Sequence, residues 1–284
     1  MSGHPDQRVD DSAGVGRQTD ASMPAADLTD DAFLGGQLQI LQYRHGYRAG
    51  LDAVLLAASV HDVDGLERRS VLDIGSGVGT VGLCIAHRLA KARVTLVDVQ
   101  PELLDLANRN ISRNGLEKRV TTVLADVTAK AATCRSAGLC VEAFQDVVMN
   151  PPYHPLAAGT PSPQKSKNLA HAMPSELLDD WIRFGVRVLE PAGRIFVIHK
   201  IAALPDLLAA LSGRFGGIAV RPIQAFEGAE VSRVLVKATK GSRAPFRMLA
   251  PLVLHGATGE NGRRAYVPGV DVVLRQGAAL DDWP

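Results

Sequence analysis

Cysteine is scarce in this chain and poorly placed for pairing. Only Cys84, Cys134 and Cys140 occur in 284 residues, an odd number without C-x-x-C spacing. That excludes a disulfide framework or a structural zinc site and fits a reducing cytoplasm. No apolar run approaches the roughly 18 residues needed to cross a bilayer, and the acidic, Gly/Ser-containing start lacks the basic and apolar regions of a secretory signal. A soluble, cytoplasmic protein without membrane attachment is expected. Neither charge dominates, because 31 basic side chains face 30 acidic ones. The total charge therefore does not mark a nucleic-acid binder, and no internal repeat is visible.

What is present is an ordinary globular composition, long enough for one large α/β domain with additions. Residues 1–29 carry Gly, Asp, Ser and Pro with little apolar periodicity, which predicts a disordered acidic tail. From Asp30 to Tyr47 the pattern reads as a hairpin, and Leu51 to Ala58 as an apolar helix with Asp52 near its positive end. Beyond Glu67-Arg68-Arg69, strands near 71–74, 93–98, 120–124, 146–149 and 194–199 alternate with helices near 80–90, 101–114, 175–189 and 203–213. This is the order of a mostly parallel, doubly wound α/β sheet of Rossmann-like form. Runs at 218–223 and 231–238 predict an antiparallel pair at its edge, and 249–255 a further strand packing back. The expected domain therefore spans 30–255, with a cap at 30–58 and a core at 70–240, followed by a weakly patterned extension at 256–284.

Val71-Leu72-Asp73-Ile74-Gly75-Ser76-Gly77-Val78-Gly79 couples a buried strand to a glycine turn and a helix, so that backbone can approach a ligand closely. Gly77-x-Gly79-x-x-Gly82 with Asp98 also matches the dinucleotide fingerprint. Three features favour S-adenosylmethionine instead: Asp73 within the strand, the tighter Gly75-x-Gly77-x-Gly79 spacing, and the strand end at Asn150. Under that reading Asp73 and the amides of Gly75, Gly77 and Gly79 hold the methionine moiety and its ammonium, Asp98 accepts hydrogen bonds from the ribose hydroxyls, Asp126 meets the adenine amino group, and Asn150 is counted with the cofactor-binding residues as well as with the catalytic ones. Each acid alone is more simply a strand-end cap. All three stand at successive strand ends, where ligands of such sheets bind.

Asn150-Pro151-Pro152-Tyr153 follows the apolar run Asp146 to Met149. The nitrogen of an aromatic amine is a poor nucleophile because its lone pair is delocalised into the ring. Two acceptors on its hydrogens, the Asn150 side-chain oxygen and the Pro151 carbonyl, would counter this, and consecutive prolines fix the backbone that aims them. Tyr153 would offer a flat face to the base. The bland alternative is a strand closed by a Pro-Pro turn.

With Asp73 to Gly79, Asp98, Asp126 and Asn150 to Tyr153 together, the chain resembles class I S-adenosylmethionine-dependent methyltransferases of the N6-adenine type. More narrowly it is similar to the bacterial tRNA1(Val) (adenine-37-N6)-methyltransferase group, through Asp31 to Gly36, Gly46 to Ala57 and Val234 to Gly241. The resemblance covers about Asp30 to His255. It implies that adenine leaves its stack for a pocket where Tyr153 stacks on it and Asn150 with the Pro151 carbonyl grips N6. It also implies tRNA as partner, no metal, and a monomer.

Arg233, Lys237, Lys240, Arg243 and Arg247 lie between Val231 and Ala250 with no acid among them. Of these Lys237, Lys240 and Arg243, with Lys165 and Lys167 from a long segment at 154–173 read as a substrate-covering loop, are candidate phosphate contacts. His45, His154 and His171 flank the proposed site, although a lone loop histidine is usually just solvated. Competing readings are a protein glutamine methyltransferase, an rRNA guanine N2-methyltransferase, an NAD-dependent oxidoreductase, and a cofactor-binding module without catalysis.

Overall fold

A computed structural model describes residues 27–61, 69–152, 175–259, 262 and 264–280. Most of the expected tail lies outside this set, but Leu28 and Thr29 are not tail: they open strand β1 (Leu28–Phe33), which pairs antiparallel with β2 (Leu38–Tyr43). The hairpin is fastened to the core by two side chains that sequence periodicity does not single out. Asn110, fully buried, accepts from Leu41 N at 2.8 Å and donates to Leu41 O and Val78 O at 3.0 Å each. One turn on, Asn114 accepts from Gln39 N at 3.0 Å and donates to Gln39 O at 2.9 Å. Two amides spaced i and i+4 on one helix face thereby satisfy backbone groups of β2 that would otherwise be stranded.

Helix α1 (Leu51–Ser59) is buried from Asp52 to Ser59, in keeping with its apolar sequence all round. Next come β3 (Arg69–Ile74), α2 (Thr80–Arg88), β4 (Ala92–Asp98), α3 (Pro101–Arg113) and β5 (Val120–Leu124). They are followed by α4 (Ala131–Ser136), β6 (Phe144–Met149), α5 (Ser175–Val188), β7 (Leu189–Lys200) and α6 (Leu204–Leu211). The short α4 is a helix the sequence pattern does not reveal. Pro101 at the first turn of α3 and the Leu104, Ala107, Ile111 spacing on its buried face explain that helix directly.

The chain closes with β8 (Phe215–Phe226), β9 (Val231–Lys240), β10 (Arg247–Met248), β11 (Leu252–Thr258), β12 (Arg264–Tyr266) and α7 (Pro268–Gln276). Sheet order is β12-β11-β8-β9-β7-β6-β3-β4-β5, with β10 beside β8. Strands β3 to β7 are mutually parallel, and β9 is antiparallel to both β7 and β8. The expected antiparallel pair β8 and β9 forms beside β7, and the sheet continues past it, with β11 parallel to β8 and β12 antiparallel to β11. Burial of Leu254 against the core anchors that addition.

One face of the sheet carries α1, α2, α3 and α7, the other α5 and α6. Helix α7, from the weakly patterned stretch, docks on the hairpin through Gln37 Nε2, which donates to Arg275 O at 3.0 Å, and the segment after it reaches α1, where Leu280 N donates to Ala58 O at 3.0 Å. At the amino ends of the strands, buried Asp146 accepts from Arg69 and from Arg194 at 2.8 Å. A charge this deep is tolerated only because it is paired on two sides. Among the described residues no helix is long and apolar enough to cross a membrane.

Candidate active site

The strand order reverses between β3 and β6, and the functional residues gather at the carboxyl ends of those strands. The turn after β3 needs its glycines: Gly75, Gly77 and Gly79 have φ of 66°, 55° and 89°. A Cβ on Gly75 would lie 2.4 Å from Cη2 of Trp181, so neither a side chain nor the ordinary backbone conformation is accommodated there.

A cavity of about 370 Å3 opens over this turn. Its walls are apolar where Val99, Leu103, Val127 and Trp181 face it, and its polar rim holds Asp98, Asp126 and Asn150. Asp98 sits in an orienting cage, its two oxygens accepting from Gly77 N at 2.8 Å and Gln100 N at 3.0 Å. Asp126 is exposed and caps its own turn, accepting from Thr128 N at 2.9 Å and Thr128 Oγ1 at 2.6 Å. Both the turn role and the cavity role therefore apply to it.

Asp73 does not belong to the cavity lining. It is buried, and Oδ2 accepts from Gly82 N at 2.9 Å, where α2 passes close to β3 and β4. Burial pushes its pKa up to about 7, with the Gly82 amide opposing and nearby Asp98 adding to the rise. The contact shown for Asp73 is with the backbone of α2, through Oδ2.

Asn150 stands at the end of β6 and donates from Nδ2 to the Tyr47 hydroxyl at 2.7 Å. Pro152 lines the cavity while Pro151 is buried and is not among the lining residues. Tyr153, Lys165 and Lys167, with His154, His171 and the segment 154–173, lie outside the described residues. Tyr47 is the site residue that sequence reasoning missed as such. The residue is 58% exposed overall, yet its hydroxyl reaches Asn150, and burial and then Asp52 push its pKa up to about 12. The loop carrying it is pinned by Gln42, which accepts from Ala49 N at 2.8 Å and donates to Ala49 O at 3.2 Å. Asp52 in turn accepts from Arg233 Nε of β9 at 2.6 Å, tying α1 to the sheet beside Asn150.

The basic cluster divides. Arg233 lies opposite Lys200 at the carboxyl rim, but β9 runs antiparallel to β7, so Thr239 falls opposite Arg194 toward the other rim. Lys240 donates to Glu142 at 3.0 Å and Leu189 O at 2.6 Å, and exposed Arg243 follows it. Seven residues from Arg233 to Lys240 at about 3.3 Å each place Lys240 roughly 23 Å from the Asn150 end. Lys237, half-buried in mid-strand, has its pKa lowered by burial, partly offset by Asp146. The structure thus does not bring Lys237, Lys240 and Arg243 to the cavity.

The methyltransferase small domain family model matches residues 52–219, more than half of the chain. The chain belongs to that family. It is an S-adenosylmethionine-dependent methyltransferase. Among its relatives, a tRNA1(Val) (adenine(37)-N6)-methyltransferase of Porphyromonas gingivalis is 27% identical over 82% of this chain and 91% of its own length. A release factor glutamine methyltransferase of Chlorobaculum tepidum is 38% identical over only 36% of this chain and 33% of its own. A crystal structure described as a predicted O-methyltransferase from Agrobacterium tumefaciens superposes with a TM-score of 0.67 at 33% identity, covering 80% of this chain and 97% of that one.

The cavity fits the cofactor of this methyltransferase. Asp98, its oxygens fixed by two amides, suits a ribose diol, and the apolar side chains around it suit an adenine ring. The left-handed glycine turn admits a methionine moiety against bare backbone.

Proposed function

We propose that this methyltransferase acts on the exocyclic N6 of an adenine in RNA, with adenine-37 of a tRNA as the substrate the relatives favour. The observation that carries the proposal is Asn150, which lines the same cavity as Gly75, Gly77 and Asp98 and whose amide nitrogen is held by Tyr47. Nδ2 donates to the hydroxyl, and the side-chain oxygen is the atom of Asn150 able to accept from an N–H. An amide cannot act as a strong base, so Asn150 orients and polarises the amino group rather than deprotonating it. Hydrogen bonding to Oδ1 localises the nitrogen lone pair and holds its proton until that proton passes to solvent. When bound, S-adenosylmethionine supplies an electrophilic methyl group on a sulfonium.

The chain's own contribution is positioning, which can account for most of the acceleration in such transfers. Asp98 and Asp126 would fix the donor on the β4 and β5 side, while Asn150, Pro151 and Tyr153 would fix the acceptor at the end of β6. The Porphyromonas gingivalis relative, matched over nearly its whole length, supports an adenine acceptor; the glutamine methyltransferase match is confined to about a third of each chain.

The test is incubation with methyl-labelled S-adenosylmethionine and separate pools of tRNA, rRNA and protein, followed by digestion of the labelled pool. Label in N6-methyladenosine from tRNA is the expected result. Label in methylglutamine, in a guanosine or on an oxygen would overturn the assignment.

A further inference from the structure

Three rings lie in one row across the last strands of the sheet. Register places Phe226 of β8 opposite His255 of β11, and His255 opposite Tyr266 of β12. Directly paired residues share a face, and buried Leu254 points the other way, so the row stands on the side away from that part of the core. His255 and Tyr266 stack with centroids 4.6 Å apart at 23°, and the Arg264 guanidinium lies 4.1 Å over the Phe226 ring. The assembly is held rather than loose: His255 Nδ1 meets Ala225 O at 2.9 Å, and Arg264 donates to Gly256 O at 3.0 Å. Yet Phe226 and Tyr266 each remain 37% exposed.

We infer that this row is a stacking platform for unpaired nucleotides of the RNA substrate, flanking the base that enters the cavity. The inference rests on the RNA reading and adds a surface to it. Strand β8 ends at the same rim as Lys200 and Asn150, because β9 reverses direction between β7 and β8. The row begins three strands from β6 and ends five away, roughly 14 to 24 Å at about 4.8 Å per strand, a span of a few nucleotides.

Its chemistry suits bases and phosphates better than a protein partner. A base can stack on the face of Tyr266 that His255 leaves open and on the guanidinium plane of Arg264 over Phe226, contacts that any base can make. Among the described residues Arg264 has no carboxylate partner, which leaves its charge for a phosphate. Exposed Glu227 and Glu230 in the β8–β9 turn would repel a backbone there, directing the strand from Phe226 toward Tyr266.

The test measures binding of a fluorescein-labelled, single-stranded 12-nucleotide RNA to the full chain by anisotropy, without methylation. Replacing both exposed rings, Phe226→Leu with Tyr266→Leu, should weaken binding about tenfold or more while leaving the slope of log Kd against log salt unchanged. The ring-preserving pair Phe226→Tyr with Tyr266→Phe should bind within about twofold of the native chain. Arg264→Gln should lower the salt slope by about one. Native-like binding by the leucine pair, or no RNA binding by the native chain, overturns the platform. Should the leucine pair melt early, equal weakening by the ring-preserving pair overturns it as well. If binding follows the rings yet no RNA pool accepts label, the functional reading falls while the platform stands.

Discussion

The Tyr47 hydroxyl and the Asn150 side-chain nitrogen meet at 2.7 Å, joining residues 103 positions apart at the mouth of the cavity. This contact decides which way the Asn150 amide faces. Tyr47→Phe removes the acceptor and keeps the ring, so the amide loses the hydrogen bond that orients its nitrogen. Turnover should drop about tenfold, the scale of one hydrogen bond, with cofactor affinity within about twofold. The phenol keeps its proton between about pH 6 and 9, because burial and Asp52 hold its pKa up near 12. The ratio of native to variant rates should therefore be flat across that range, and a ratio that changes with pH would contradict the role.

Asp73 carries a pH signature of its own. Burial raises its folded pKa to about 7 from the ordinary aspartate value of 3.8. Below about pH 4 both folded and unfolded chains hold the proton and no penalty exists. As pH rises the unfolded state ionises first, so stability is lost progressively and the loss levels off above the folded value, at a total of order 4 kcal/mol. Asp73→Asn keeps an acceptor for the Gly82 amide and removes the charge. The variant's melting temperature should gain on the native chain from pH 4 to 7 and then hold its lead. A difference independent of pH would refute the buried-carboxyl account.

Asn110 carries the hairpin. Asn110→Ala strands Leu41 N, Leu41 O and Val78 O in the interior, which should cost about 3 kcal/mol or more in denaturant unfolding. Because β2 leads into the Tyr47 loop, turnover should suffer more than global folding when the variant is assayed well below its melting point. A stability loss under about 1 kcal/mol would show that water or rearrangement satisfies those groups.

The far rim offers a negative control. Lys240→Gln with Arg243→Gln should leave the KM for RNA within about twofold, since both lie at the amino ends of the strands. A large rise in KM would return them to the RNA footprint.

Much of this architecture was legible in the chain because its signals are local. The glycine turn, the alternation of β3 to β7 with helices, and the acids at strand ends all arise within short windows whose periodicity or backbone need is explicit. What escaped depends on long-range geometry. Tyr47 reaches Asn150 only because Asn110, Asn114 and Gln42 fix a hairpin on α3, and none of those amides has a distinctive spacing to the others. Charge alone groups Lys240 with the substrate contacts; the reversal of β9, itself expected from sequence, carries it to the opposite rim. Asp73 precedes the glycines and so reads as a ligand contact, but no local pattern reveals that the close pass of Gly82 engages its Oδ2. Helices α4 and α7 are short or weakly apolar, and their existence rests on the surfaces they cover.

The central claim is that Asn150 positions an amino nitrogen without serving to hold the cofactor. Single-turnover methyl transfer by Asn150→Ala, with cofactor affinity measured by calorimetry on the same preparation, tests it most directly. The account predicts a transfer rate lowered about 100-fold or more with cofactor affinity kept within about threefold. A variant that transfers within a few-fold of the native rate, or one whose rate loss is matched by an equal loss of cofactor binding, would contradict it.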